Sequence, residues 1–380
     1  MPKNNYDLVS LKIENFLKSN ISNYSRLRNF DFGVNNRENV SCLSPYLTHR
    51  IVSEFELIKS VLEKYKFSSV EKFIQEVFWR VYWKGWLEKN QKVWGDFVNS
   101  LSAIKTNDSY YEAIEGKTQI SCFNEWVDEL KTSNYLHNHT RMWFASIWIF
   151  TLKLPWQLGA KFFLEHLLDG DAASNTLSWR WVAGLQTKGK HYLAKSWNIE
   201  KFTNNRFKNV CLNEEAEPIE EIEANSTQKN DIRHSLAQKN RTIILFENDL
   251  LPQSMSIDYK KYDKVLVILL DNSKRNIFLS KNVFDFKKSL INDFNTVLDN
   301  AKIIKSNELE VLFDTKKTFD VLYPSVGENL DYITKCKLKK KLNLNFIIRK
   351  EDKFCWQFAN KGFFNFKKNI HKIIDELELS

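Results

Sequence analysis

The hydrophobic period of this chain changes once, near Arg241, and that change divides it into two unlike halves. Up to about residue 205 apolar residues recur at helical spacing, as in Leu8, Leu11, Phe16 and Leu17, in Phe55, Ile58, Val61 and Leu62, and throughout 73–86. Nothing in that part sustains a strand-like alternation. Beyond Arg241, short β-branched runs appear at 242–246, 265–270, 301–304, 319–323 and 346–348, separated by helical patterns over 283–298 and 330–342. Strands alternating with helices imply βαβ units and a parallel sheet. The expected architecture is an all-α domain over 1–205 followed by a smaller, Rossmann-like α/β domain over 241–380. Between them, 206–240 is polar and free of tryptophan, with an acidic run at 214–221, and reads as a linker. No internal repeat is evident.

Composition narrows the function classes. With 380 residues and 43% hydrophobic content the chain can bury a sizeable core. The nearest approach to a membrane span, 143–154, is interrupted by Lys153 and stopped by Pro155; it is too short to cross a bilayer and reads as a buried helix. The first ten residues carry no apolar signal region, so a cytoplasmic protein without a membrane partner is expected. The five cysteines are scattered, which points to reduced thiols and to no zinc or iron–sulfur site. A net charge of +9 suits a polyanionic partner and also many plain cytosolic proteins. The 12 tryptophans, nearly all before residue 200, suit stacking or electron transfer, and equally a large aromatic core.

Two segments carry chemistry. Glu76, Trp79, Arg80 and Trp83 stand at i, i+3, i+4 and i+7 and share one helix face. A carboxylate, a cation and two indoles make either an amphipathic helix with an internal ion pair or a face built for a ligand, since Glu and Arg are seldom buried without a partner. Farther on, a helix starting near Tyr135 carries Asn138 and Arg141 one turn apart. The turn from Asp169 through Gly170 and Asp171 to Asn175 either caps a helix or binds a metal; no further hard ligand stands at loop spacing, so no metal site is assigned.

In order along the chain, these segments resemble the FAD-binding domain of the DNA photolyase/cryptochrome family. Ser41-Cys42-Leu43-Ser44-Pro45-Tyr46-Leu47 is similar to the family's S-x-L-S-P-Y-L, and Glu76, Trp79 and Arg80 to its E-x-x-W-R. Glu115-Gly116-Lys117-Thr118 is similar to E-G-K-T, His137-Asn138-His139-Thr140-Arg141-Met142 to H-N-x-x-R-M, the Asp169 turn to D-G-D-x-x-x-N, and Trp179-Arg180-Trp181 to W-x-W. The likeness runs from about Tyr24 to Asn198. It implies FAD as cofactor, with Tyr24, Ser41, Leu43, Ser44 and Arg80 on its phosphate side. Arg141 would pair with Asp169 beside the flavin, Asp171 would touch the flavin region and Asn175 would face its N5.

The same resemblance implies a lesion pocket made by Glu76, Asn138, Trp79, Trp181 and Met142, the set that cyclobutane-dimer photolyases use. An extruded dimer has lost stacking and pairing, so removing it from the helix costs less than removing a normal pair. Enzymes for (6-4) photoproducts carry histidine where this chain has Asn138. The expected activity is that of a deoxyribodipyrimidine photo-lyase, a carbon–carbon lyase driven by light, with Arg28 contacting a DNA phosphate. The alternative is a cryptochrome-type blue-light receptor without repair activity; retention of Glu76 and Asn138 argues for repair.

Departures from the family pattern are informative. Val40 replaces a threonine, and Asn124 stands where 119–125 would carry an aspartate. Trp179 and Trp156 match the first two members of the family's photoreduction chain, but Ala103 falls where the third belongs; Trp94, Tyr110 and Tyr111 are the open alternatives. The run 243–250 resembles the opening of the family's antenna domain, with Glu247 for an arginine and no motif for a second chromophore. Only about twenty residues precede Tyr24, so the two domains look inverted. That is the arrangement of the bacterial inverted-topology photolyases, which implies repair of cyclobutane dimers with preference for single-stranded DNA. A monomer acting on UV-damaged DNA is expected.

Overall fold

The structure, a computed structural model, describes residues 2–220, 234–253, 256–316 and 318–380. Its first part is helical from Asn5–Ser19 to Ser196–Phe202, and its second part is a parallel sheet with helices between the strands. The strands are β1 His234–Ser235, β2 Thr242–Phe246, β3 Lys264–Ile268, β4 Ala301–Ile304, β5 Thr318–Leu322 and β6 Asn343–Ile347. They lie in the order β1-β6-β5-β2-β3-β4, every neighbouring pair parallel.

The sequence places five of these strands within three residues of their observed ends, β2 and β4 with no offset. It misses β1, whose two residues pair with Phe346 and Ile347 inside the stretch read as a linker. A two-residue strand has no side-chain period to read. Residues 221–233 of that stretch lie outside the described residues. Its acidic part does not run free in solvent: Glu214 accepts from the Ser196 N–H at 2.7 Å, His191 Nε2 lies 2.7 Å from the Ala216 carbonyl, and the Ile219 N–H donates to Ala183 at 3.0 Å.

β2 is buried on both faces, as a central strand of a covered parallel sheet must be. Ile244 and Phe246 join one core and Ile243 and Leu245 the other, because successive side chains point to opposite faces. Both cores continue into the helical part: the first reaches Trp148 and Trp179, the second Phe73 and Phe78. Across the joint, the Tyr6 hydroxyl donates to Leu250 O at 2.7 Å and the Trp94 indole N–H to Asp331 at 2.8 Å. At Gly85 a Cβ would lie 2.8 Å from the Trp356 ring, so the Phe67–Lys89 helix meets the C-terminal helices closely only because this residue lacks a side chain.

The apolar run near Trp143 is buried and helical, with a π turn over Ile147–Thr151 following the Asn138–Ser146 helix. Among the described residues no helix is long and apolar enough to cross a membrane.

Candidate functional site

The site is a cavity of about 510 Å³ in the helical part, within the size range of small-molecule pockets. One wall is the Phe67–Lys89 helix. Three of its turns present Glu76, Trp79, Arg80 and Trp83 to the cavity, while Phe73, Val77 and Phe78 anchor it in the core. A second wall is the Asn138–Ser146 helix, capped by His137 and carrying Asn138, Arg141 and Met142. The Ala172–Ala183 helix gives Asn175, Trp179 and Trp181, and the segment from Ser41 to Ser44 closes the remaining side with Tyr24 and Leu43. Cys42 takes a left-handed φ of 50°, which turns that segment before the short Ser44–Thr48 helix.

The charged groups are ordered by one another. Arg141 donates to Asp169 at 2.9 Å and to the Leu136 carbonyl at 2.9 Å, and its guanidinium stacks 5.3 Å from the Tyr135 ring centre. Burial would raise the Asp169 carboxyl, but Arg141 beside it, with a hydrogen bond from Ser44, holds it below the usual carboxylate range. Glu76 shows the opposite balance: burial pushes its carboxyl up, against the pull of Arg28 at 3.5 Å. Asn175 donates from Nδ2 to the Ala160 carbonyl at 2.9 Å, which fixes the orientation of its amide. Arg80 Nη1 and Trp179 Nε1 are buried without a hydrogen-bond partner. Both residues line the cavity, so a ligand there can supply the missing partner, whereas other unmet donors, such as Trp126 Nε1 and Trp356 Nε1, lie outside it.

Three of the sequence-derived site residues lie elsewhere. Asp171 caps the Ala172–Ala183 helix by accepting from the Ser174 N–H at 2.7 Å and the Ser174 hydroxyl at 2.9 Å. It lines a second, smaller cavity instead, so of the two readings of the Asp-Gly-Asp turn the helix cap is the one observed. Arg28 is not on the cavity wall; it sits behind Glu76 and donates to the Asn29 side chain at 2.9 Å. Trp156 is buried outside the cavity, stacked on Phe97 at 5.5 Å.

The sequence reading also missed residues. Phe363, from the C-terminal part, stacks on Trp79 with ring centres 3.7 Å apart and 12° between planes. Its neighbour Phe364 is 80% exposed and lines the cavity mouth. The only signal in the sequence was the run Gly362-Phe363-Phe364-Asn365-Phe366, and no local pattern ties it to a helix nearly three hundred residues earlier.

The second cavity, about 90 Å³, lies between the two parts at the ends of β2 and β5. This is where the strand order reverses, the usual ligand crevice of an open parallel sheet. Here it is filled by paired charges. Asp249 accepts from Arg349 at 2.7 and 2.9 Å and from Arg50 at 3.2 Å, Arg50 also donates to Asp352 at 2.6 Å, and Arg275 donates to Glu247 at 2.5 Å.

Residues 73–210 match the model of the FAD binding domain of DNA photolyase. The chain is 26% identical over 196 residues to the deoxyribodipyrimidine photo-lyase of Vibrio cholerae, covering 49% of this chain and 41% of that protein. It is 32% identical over 149 residues to that of Streptomyces griseus, covering 39% of this chain and 32% of that protein. These matches thus span less than half the length of either relative. Among solved structures, a bacterial class III photolyase from Agrobacterium tumefaciens is similar with 24% identity and a TM-score of 0.44, over 52% of this chain and 42% of that one.

Proposed function

We propose that this member of the photolyase/cryptochrome superfamily is a light-driven repair enzyme for cyclobutane pyrimidine dimers, acting as a monomer and preferring single-stranded DNA. The observation that carries the reading is the cavity itself. It gathers a cation with an unmet donor, a buried Arg–Asp pair, a fixed asparagine amide and two indoles from different helices, together with a carboxyl and an amide at its rim. That donor set fits FAD: Arg80, Ser41, Ser44 and Tyr24 for the phosphates, and Arg141, Asp169 and Asn175 for the ring. Reduced FAD, when bound, supplies one electron on absorbing blue or near-UV light and accepts it back after the cyclobutane ring has opened.

The chain's own residues bind and orient. Trp79 and Trp181 offer apolar faces to the two bases, each stack contributing roughly 1–3 kcal/mol. Trp79 is held from behind by Phe363, so the α/β part stiffens the wall it does not itself form. Glu76, its carboxyl pushed up by burial, and Asn138, exposed at the mouth, can hydrogen-bond the pyrimidine edges. Met142 fills the space between. Residues 1–205 are the catalytic unit in this reading, and residues 241–380 cover and brace it.

The test is light-dependent loss of dimers from single- and double-stranded oligonucleotides. Repair in light and none in the dark, faster on the single strand, is expected. Dimers left unchanged by an illuminated, flavin-loaded protein would sink the repair reading in favour of a signalling flavoprotein.

A further inference from the structure

We propose that Phe364 is the ring on which the protein stacks the base next to an extruded pyrimidine dimer, so that the α/β part reads the strand beside the lesion. The inference rests on the repair reading of the cavity. Its starting point is three phenylalanines in one short helix, Phe363–Lys367, which the C-terminal part lays against the cavity mouth. Phe363 and Phe366 stand three residues apart and share the inward face. Phe363 stacks on Trp79 at 3.7 Å, and Phe366 is buried with its ring centre 6.0 Å from Phe78 and 5.8 Å from Tyr82. Phe364, one residue after Phe363, points about 100° round the helix from it. It is 80% exposed where it lines the mouth of the cavity.

A lone exposed ring on a protein surface is ordinary. Three features set this one apart. Its backbone is pinned on both sides, by Phe363 on Trp79 and by Phe366 in the core, so the ring is held out at a fixed place and little ordering remains to be done at binding. It stands at the mouth of the cavity that Trp79 and Trp181 line, with the exposed Asn138 at the same rim. A dimer drawn in between the two indoles leaves its neighbouring bases at that rim. Cations accompany the ring as well: Lys361 and Lys368, three residues before it and four after, are exposed, while Lys367 is held by Glu71 at 3.2 Å. An apolar ring with cations beside it suits a base and its phosphates, the pairing by which proteins follow a single strand.

The same placement gives a cause for a preference between strands. In single-stranded DNA the base beside the dimer is free to leave its stack and lie on Phe364. In a duplex that base stays paired with the opposite strand, so the ring has less to hold. Phe364 therefore adds affinity chiefly to the single strand.

The test uses the full chain loaded with oxidised FAD and kept in the dark, so that the pyrimidine dimer persists. Binding to labelled oligonucleotides is followed by fluorescence anisotropy, with flavin content and melting temperature as controls. F364A is expected to weaken binding to a dimer-bearing single strand about tenfold and to the matching duplex less than about threefold, and F364W to stay within about twofold of the parent. The salt dependence should be the same in F364A, because the ring carries no charge. An abasic site beside the dimer should cost the parent about tenfold on one flank and F364A almost nothing, the non-additivity that marks direct contact. Parent-like affinity in F364A, or losses from ring and base that simply add, overturns the inference and leaves the repair reading standing. So does loss of FAD in F364A, which would make the ring a cover for the cofactor. Loss of a two-chain assembly with DNA affinity unchanged would make it a contact between copies and overturns it too. A parent that binds damaged and undamaged strands alike overturns both readings.

Discussion

The two cavities differ in what their polar groups are doing. In the joint between the parts, Arg50, Arg349, Asp249, Asp352, Glu247 and Arg275 are ion-paired with one another at hydrogen-bond distance, and of their buried polar atoms Arg349 Nη1 alone is left unmet. In the helical part, Arg80 and Trp179 hold buried N–H groups that meet nothing in the protein. The first pattern is that of a structural joint, where every charge has a protein partner. The second is that of a binding site, where the missing partner is the ligand. The joint occupies the place in the sheet where relatives of its topology often bind ligands, so position alone would have pointed to the wrong cavity.

The contrast can be broken most severely in the joint. Asp249→Ala leaves Arg349 and much of Arg50 as buried uncompensated charge. A loss on the order of 3–5 kcal/mol is expected in urea unfolding, and a loss below about 1 kcal/mol would mean that the joint is wet. Glu88 gives a subtler reading of the same place. It accepts from the Tyr323 hydroxyl at 2.7 Å and the Val326 N–H at 2.8 Å, and burial pushes its carboxyl up to about 7 against both bonds. The folded chain therefore keeps a proton that the unfolded chain loses near 4.5. Stability from this group is full below that pH and falls as pH rises through 7, by something on the order of 3 kcal/mol. In Glu88→Gln that slope should flatten; an unchanged slope assigns it to another group.

In the large cavity, Arg80→Ala should act on the ligand and little on the fold. Loss of a charge-assisted hydrogen bond of about 1.5–3 kcal/mol weakens FAD roughly 10- to 100-fold by fluorescence titration, with unfolding little changed. Glu76→Ala should cost least, lowering repair about tenfold while FAD stays bound. Equal loss of flavin would move Glu76 from the lesion to the cofactor.

Legibility in the sequence followed the range of the cause. The stripe of Glu76, Trp79, Arg80 and Trp83 could be read because helix geometry alone sets it, and the structure puts all four on the cavity wall. β2, β3, β5 and β6 could be read because a buried strand needs a short apolar run, and the mostly exposed edge strand β4 because Ile303 and Ile304 still stand out in it. The Asp171 cap was one of two local options, and the choice needed the Ser174 contacts. Phe363 behind Trp79 and the filled crevice at the sheet were not legible, since each depends on how two distant parts of the chain pack together. The same holds for Arg28, which faces Glu76 across two helices.

Flavin content of the purified full chain tests the central claim most directly, that the helical cavity and not the joint is the binding site. After incubation with FAD and removal of the excess, the parent should carry about one flavin per chain, and Arg80→Ala much less. A chain that stays colourless, or an Arg80→Ala variant that holds FAD as the parent does, would contradict it.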